Sequence, residues 1–196
     1  MQDTIEAIHT FWFGELDGSG LSKTDMHSLW FGASAETDAF CREQFGASLA
    51  LALQGQLQDW AQTDRGLVAL VVLLDQFSRN IHRGTAQAFA GDPIALALAQ
   101  DAIASGRHLQ LPAIHRVFLY LPLEHCENLA IQENSVALFG ALANEAAHPQ
   151  FDSFSRYAIA HRDVIARFGR FPHRNEALGR EPTTAELAYL KEHGGF

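Results

Sequence analysis

The sequence lacks the features that mark membrane-spanning and secreted proteins. No apolar run approaches the ~20 residues that a membrane-spanning helix needs, because Asp75 interrupts the longest one. The opening residues, MQDTIEAIHTFWFG, have neither a basic start nor a small-residue cleavage site, so we expect no signal peptide. Cysteine is scarce as well, and Cys41 and Cys126 form no metal or redox spacing. We therefore expect reduced, buried thiols, no disulfide and a cytoplasmic location.

The chain also has few basic residues, and its charge is unevenly distributed along the sequence. The net charge of −9 argues against a nucleic-acid partner, which needs a basic surface. Residues 1–64 carry a net charge of −8, whereas residues 156–180 carry +4. Lysine occurs only at Lys23 and Lys191, and the other basic residues are arginines. The planar guanidinium suits bidentate pairing with a carboxylate or phosphate; the alternative is that genome composition or surface solubility favours arginine.

The alternating pattern of a β-strand is missing too, and the local signals predict helices instead. Pro122 is expected to kink or break one helix, and a further helix to follow over about residues 123–146. These signals predict seven or eight helices joined by short loops, in one all-α domain over residues 1–196. Helix starts are predicted from capping residues at Asp3, Thr63 or Asp64, Asp92, Asp152 and Thr183. Thr183 is expected to form a capping box with Glu186.

A dense group of polar residues follows the most apolar segment of the chain. In Gly66–Ile81 one helical face is an apolar stripe, and Asp75 and Arg79 lie on a second face that also holds valines. A buried charge is costly unless it is paired. We therefore predict a buried polar network that includes Asp75, Arg79 and Asn80. The alternative is an exposed pair of Asp75 and Arg79 within the helix, worth a few tenths of a kcal/mol.

Two further segments place polar side chains against apolar surroundings. Pro122 precedes Glu124 and His125, so the break predicts a polar notch; the alternative is a simple kink with solvated acids. His161 lies on the apolar stripe of a helix, so we expect it to face the core or the wall of a pocket. The alternative to a functional histidine is one that is only part of the core.

The loop after Gly169 carries the arginines of the basic segment. It presents Arg170, His173, Arg174 and Asn175 on a turn that Pro172 stiffens. A stiff turn with such donors suits the binding of an anion. The alternative is that these cations only stabilise the end of the preceding helix.

The segments LLDQFSRNIHRG, FLYLPLEHCENL and FSRYAIAHRDVIARFGRFPHRN resemble the signature blocks of a bacterial family known as domain of unknown function 924. The opening IHTFWFG and the ending GREPTTAELAYLKEHGGF match its pattern too, so the resemblance spans nearly the whole chain. It implies a tetratricopeptide-like fold, an array of α-hairpins with a concave groove. The family brings no established reaction, substrate or cofactor.

The main hypothesis is a helical-hairpin domain that binds a small anionic ligand or an acidic peptide. One alternative is a metal-independent enzyme in which Glu124 or His161 transfers protons during hydrolysis or group transfer. Another is a purely structural polar network with a surface that binds a protein partner. We expect no metal, cofactor, nucleic acid or membrane partner, and the oligomeric state stays open. The predicted ligand-binding residues are Asp75, Arg79, Asn80, Glu124, His125, His161, Arg170, His173 and Arg174.

Overall fold

Helices provide the regular structure of the chain, as the sequence predicts. The structure is a computed structural model, and it describes residues 2–195. Over that range no β-strand forms, and an isolated bridge joins Leu16 to Ser22. Within the same range no helix is both long and apolar enough to cross a membrane.

The helices follow one another with short connections. Counting the continuous stretch from Asp64 to Ile81 once, there are eight helices of ten or more residues and one of five, over residues 2–195. This confirms the predicted all-α fold and adds one short helix to the predicted count. The bounds are α1 Gln2–Phe13, α2 His27–Phe31, α3 Ala35–Leu53, α4 Asp64–Val72, a π-helical segment Leu73–Phe77, α5 Ser78–Ile81, α6 Asp92–Ala104, α7 Ala113–Glu124, α8 Leu129–Ala146, α9 Pro149–Phe168 and α10 Thr184–His193.

Two of the predicted helix starts are confirmed. The Thr63 hydroxyl accepts a hydrogen bond from the Gly66 amide at the start of α4. At the start of α10, Thr183 Oγ1 accepts from the Glu186 amide, and Glu186 Oε2 accepts from the Thr183 amide. This reciprocal pair is the predicted capping box.

The other predicted capping residues are wrong, although α6 does begin at Asp92. Asp3 lies inside the first turn of α1. Gly91 rather than Asp92 caps α6, because the Asp92 carboxylate turns to a tertiary partner described below. His148 rather than Asp152 caps α9, and its ring nitrogen accepts from the backbone of the first turn.

Pro122 does not end its helix. It lies inside α7, which continues to Glu124. The helix that we expected from about residue 123 instead begins at Leu129, where the Asn128 side chain accepts a hydrogen bond from the Ile131 amide. A side-chain cap of this kind satisfies a helix-end donor that a proline does not, so Asn128 sets the start of α8.

The chain divides into two compact units. The first comprises residues 2–83 and 87–122, and the second comprises residues 84–86 and 123–195. In the first unit, an aromatic core gathers Trp12, Phe77 and Phe118 with ring centroids 5.2–5.7 Å apart, and Trp30 Nε1 donates to the Trp12 carbonyl at 2.7 Å. The buried thiol of Cys41 belongs to this unit, and burial raises its pKa to about 12.

The second unit is built on the α8–α9 hairpin. Only Ala147 and His148 separate the two helices, which pack along each other. A short apolar cluster of Val164, Ile165 and Phe171 follows at the end of α9. The single domain over residues 1–196 and the concave groove implied by the resemblance stay predictions.

Candidate functional site

The nine predicted site residues are divided between the two compact units. Three of them, Asp75, Arg79 and Asn80, belong to the first unit. The other six belong to the second: Glu124, His125, His161, Arg170, His173 and Arg174. Each group is therefore described within its own unit.

In the first unit, Arg79 is held by two carboxylates. Its Nη1 lies 3.3 Å from Asp75 Oδ1, and its Nη1 and Nη2 donate to the two oxygens of Asp92 at 2.8 and 3.0 Å. Asp75 is fully buried and also accepts from Gln76 Nε2 at 2.6 Å. We call Asp75, Gln76, Arg79 and Asp92 the central cluster. The pair of Asp75 and Arg79 is therefore not the exposed one that the alternative supposed.

Local backbone geometry brings Asp92 to Arg79. Leu73–Phe77 is a π-helical segment, a conformation that inserts an extra residue into the turn and often occurs at functional sites. Gly91 lies so close to this segment that a Cβ there would come 2.2 Å from the Leu74 carbonyl oxygen. Only a glycine permits this approach, and the next residue is Asp92.

The electrostatics of the central cluster favour an internal role. Burial opposes the charge of Arg79, but Asp75 and Asp92 outweigh it and raise the pKa of the guanidinium. Two carboxylates around one guanidinium leave the group with an excess of negative charge. Asn80 also has an internal partner, since its Nδ2 donates to Asp38 Oδ1 at 2.9 Å. The geometry therefore suits a lock between helices better than an anion site.

In the second unit, the two predicted catalytic candidates come into contact. His161 Nδ1 lies 3.0 Å from Glu124 Oε1 and 2.9 Å from the Tyr157 carbonyl oxygen. A carbonyl oxygen only accepts hydrogen bonds, so Nδ1 must carry the proton. The neutral ring then has its lone pair on Nε2. A carboxylate that orients a histidine in this way is the arrangement of a general base.

Three further basic side chains lie near His161. We call Glu124, His125, His161, His173 and Arg174 the histidine cluster. Burial is the main cause that lowers the pKa of His161, to about 3, and His125, His173 and Arg174 act in the same direction. The rings of His125 and His161 are 6.1 Å apart. The imidazole of His161 is therefore neutral near physiological pH.

Phe171 links the members of this cluster. Its ring centroid lies 5.5 Å from that of His161 and 5.6 Å from that of His173. The guanidinium of Arg174 lies over the same ring at 4.7 Å, a distance typical of a cation–π contact. Thus three of the six predicted residues of this unit lie around one phenylalanine, and Glu124 and His125 lie next to one of them, His161.

A second set of residues fixes the loop, and the sequence analysis did not single it out. Arg180 donates to both carboxylate oxygens of Glu127 at 2.7 and 3.0 Å. Glu127 also accepts from the Phe171 amide at 2.7 Å. Arg180 Nε donates to Asn175 Oδ1 at 2.9 Å. The only signal for this network was that both charged residues occur inside the distinctive sequence blocks.

Asn175 completes the surroundings of the cluster with a spare donor. Its side chain is almost fully buried, and Oδ1 is held by Arg180. Its Nδ2 is buried with no hydrogen-bond partner in the described part of the chain. Buried donors are rarely left without a partner, so this amide is an obvious contact for a ligand or an ordered water.

Arg170 is not part of the histidine cluster. Its Nε and Nη2 donate to Glu186 Oε1 and Oε2 at 2.6 and 2.8 Å. Glu186 is the same buried carboxylate that closes the capping box of α10. The predicted anion-binding arginine is thus joined to the start of a helix, where it completes a network with Thr183.

Replacement of Glu186 by glutamine is expected to change how stability depends on pH. Arg170 lowers the pKa of Glu186 from its usual 4.5 to about 2, with help from the Thr183 amide. The ionised carboxylate therefore stabilises the fold fully above pH 4.5, and this contribution is lost as the pH falls toward 2. Urea unfolding of wild type and Glu186→Gln should differ most near neutral pH and converge in acid.

The control for this comparison is Glu192→Gln in the same helix. Its carboxylate is largely exposed, so the substitution should leave the pH dependence of unfolding close to that of wild type. A constant difference between wild type and Glu186→Gln across the acid range would contradict the lowered pKa of Glu186.

Another buried polar group in the first unit was missed altogether. Tyr120 Oη lies 2.6 Å from His108 Nδ1 and accepts from Arg116 Nε at 3.2 Å. All three side chains are buried. The available signal was the spacing of Arg116 and Tyr120, one helical turn apart on an otherwise apolar helix.

Across residues 2–195, no group of three or more histidine, cysteine, aspartate or glutamate side chains is arranged to hold a metal ion.

Known proteins similar to this chain carry no stated activity. A family model described as a bacterial protein of unknown function, DUF924, matches residues 8–194. A solved structure of a protein of unknown function from Agrobacterium tumefaciens is similar to this chain with a TM-score of 0.83 and 34% sequence identity. The similarity covers 97% of this chain and 98% of that one. No curated protein matches the chain.

Proposed function

Since the chain belongs to the bacterial DUF924 family of proteins of unknown function, we propose a function from the geometry of the site: the histidine cluster binds a small anion that carries a carboxylate or phosphate group. The ligand-binding residues are His125, His173 and Arg174, together with the amide of Asn175. His161 and Glu124 form the wall against which the anion lies.

The observation that supports this proposal is the grouping of basic side chains around one buried histidine. His125, His173 and Arg174 all lie close enough to His161 to lower its pKa, and the rings of His125 and His161 are 6.1 Å apart. An anion that reached these side chains would form charge-assisted hydrogen bonds with them.

The donors around the cluster are fixed before any ligand arrives. Arg180 holds Oδ1 of Asn175, so Nδ2 is directed away from that contact. The guanidinium of Arg174 lies flat over Phe171. Donors held in place lose little conformational entropy when they bind, which increases affinity.

The two units differ in their suitability for an anion. The central cluster places two carboxylates on Arg79, and Arg170 is paired with Glu186 in a bidentate contact. An anion at either position would have to displace a carboxylate. We therefore place the predicted ligand at the histidine cluster, where three basic side chains lie near one another.

Acid–base catalysis is the second candidate function, and the tautomer of His161 favours it. With Nδ1 directed to Glu124 and Tyr157, Nε2 of the neutral ring would be the proton acceptor. The lowered pKa makes this ring a weak base, and a bound anion near it would raise its basicity. Glu124 would stabilise the resulting imidazolium. Hydrolysis or group transfer on the bound anion is the reaction class that this dyad supports.

A thermal-shift experiment with defined anions tests the proposed binding. The probes are inorganic phosphate, pyrophosphate, acetate, succinate and citrate. A probe at about 100 times its dissociation constant should add about 2.7 kcal/mol to the free energy of unfolding, which raises Tm by several degrees. His173→Gln and Arg174→Lys should each reduce this shift, because they remove donors from the cluster.

The matched control is Arg162→Ala, which removes a partly exposed arginine of α9 that pairs with Asp163. It should leave the shift unchanged. Absence of a shift with every probe, or a shift that survives in both cluster variants, would overturn the proposal. Proton NMR of the same samples separates the two candidates: a probe that is consumed supports the enzyme, whereas an unchanged spectrum supports binding alone.

A further inference from the structure

The first unit contains a cavity of about 230 Å³ that has no residue in common with the central cluster. It lies between α4 and the end of α6. Its apolar floor consists of Ala61, Leu67, Leu98 and Ala102. Its polar rim consists of Asp101, Ser105 and Arg107.

The turn after α6 places opposite charges on the rim. Asp101 lies in the last turn of α6, and Arg107 follows Gly106, whose φ of +72° reverses the chain direction. A left-handed conformation of this kind favours glycine. The acidic and the basic side chain therefore border the same opening although they lie on successive elements.

Both charged groups retain binding capacity. Within residues 2–195, the exposed Asp101 carboxylate has no hydrogen bond or ion pair from another side chain. Arg107 donates through Nε to Asp64 Oδ1 at 2.7 Å and through Nη1 to the Ala61 carbonyl at 2.6 Å. These two bonds fix the plane of the guanidinium and leave the N–H groups of Nη2 available.

We propose that this cavity binds an α-amino acid with an aliphatic side chain. Asp101 would receive the ammonium group, and Nη2 of Arg107 would donate to the carboxylate. The aliphatic side chain would pack against Leu98, the partly exposed leucine of the lining. The cavity is smaller than the roughly 300 Å³ at which pockets for drug-sized ligands begin, which fits a ligand of this size.

The charges on the rim favour a zwitterion over a simple ion. An anion alone would gain from Arg107 but would lie near the carboxylates of Asp101 and Asp64. An amine alone would gain from Asp101 but would meet the cation of Arg107. A molecule with both groups satisfies both side chains, whereas like charges brought together are unfavourable.

Isothermal titration with leucine tests this site. The two comparison compounds are 4-methylpentanoate, which lacks the ammonium group, and 3-methylbutylamine, which lacks the carboxylate. Leucine should bind saturably, and each comparison compound should bind at least about tenfold more weakly. Asp101→Asn should weaken leucine binding at least about tenfold, and it should fold normally because Asp101 is exposed.

Asp152→Asn is the matched control, because it makes the same change at an exposed aspartate of the second unit. It should leave the affinity for leucine unchanged. Three results would overturn the proposal. The first is no saturable binding of leucine below about 10 mM. The others are equal binding of all three compounds and full affinity in Asp101→Asn. Arg174→Lys should leave leucine binding intact, so failure at one site is distinguishable from failure at the other.

Discussion

Arg79→Ala is expected to lower the free energy of unfolding by about 3–5 kcal/mol, the cost of removing one partner from a buried ion pair. The substitution removes the guanidinium beside the fully buried Asp75, whose carboxylate still accepts a hydrogen bond from Gln76 Nε2. It also removes both hydrogen bonds to Asp92. Arg79→Lys should recover only part of the loss, because an ammonium group cannot reproduce the bidentate contact.

Arg83→Ala provides the matched control for this measurement. Arg83 lies one turn further along and also makes a bidentate contact, in this case with Asp38. Its side chain is 48% exposed, compared with 21% for Arg79. Exposed ion pairs contribute about 0–1 kcal/mol, so urea unfolding should show a much smaller loss for Arg83→Ala. Equal losses in the two alanine variants would contradict the role assigned to the central cluster.

Gly91→Ala is expected to destabilise the protein by about 3 kcal/mol or more, at the upper end of overpacking effects. A Cβ at this position would lie 2.2 Å from the Leu74 carbonyl oxygen and 2.9 Å from its carbon. Both are backbone atoms, so no side-chain rotation can relieve the overlap. Either α6 moves away from the π-helical segment, or the segment itself is distorted.

The control for this substitution is Gly46→Ala in the middle of α3. A Cβ added there meets no atom within 4 Å, and alanine is the better helix former. We therefore expect a gain of about 0.5–1 kcal/mol. Urea unfolding of both variants measures the contrast. Wild-type stability in Gly91→Ala would show that α6 is not held tightly against the π-helical segment.

The sequence was sufficient to predict the helices and the burial of Asp75, because both depend on local periodicity. It did not reveal the second carboxylate on Arg79. Asp92 precedes Pro93, and this dipeptide is a strong local signal for a helix start. The helix does begin there, but the Asp92 side chain does not cap it, since that carboxylate is engaged with Arg79.

In the candidate site, too, the sequence predicted individual residues but not the tertiary contacts between them. The sequence suggested Glu124 and His161 separately, and the fold of the second unit brings them to 3.0 Å. It also suggested Arg170 as an anion-binding group and Glu186 as part of a capping box, without relating the two. Their bidentate contact depends on where α10 lies against the preceding loop, which no spacing along the chain specifies.

The burial of Cys41 makes its thiol a probe of local opening in this protein. Because the pKa of this thiol is raised to about 12, hardly any thiolate exists near neutral pH, and it is the thiolate that reacts with alkylating agents. Modification of Cys41 therefore has to wait until α3 opens. The rate of its alkylation reports the frequency of that opening in the unmodified protein, without an added label.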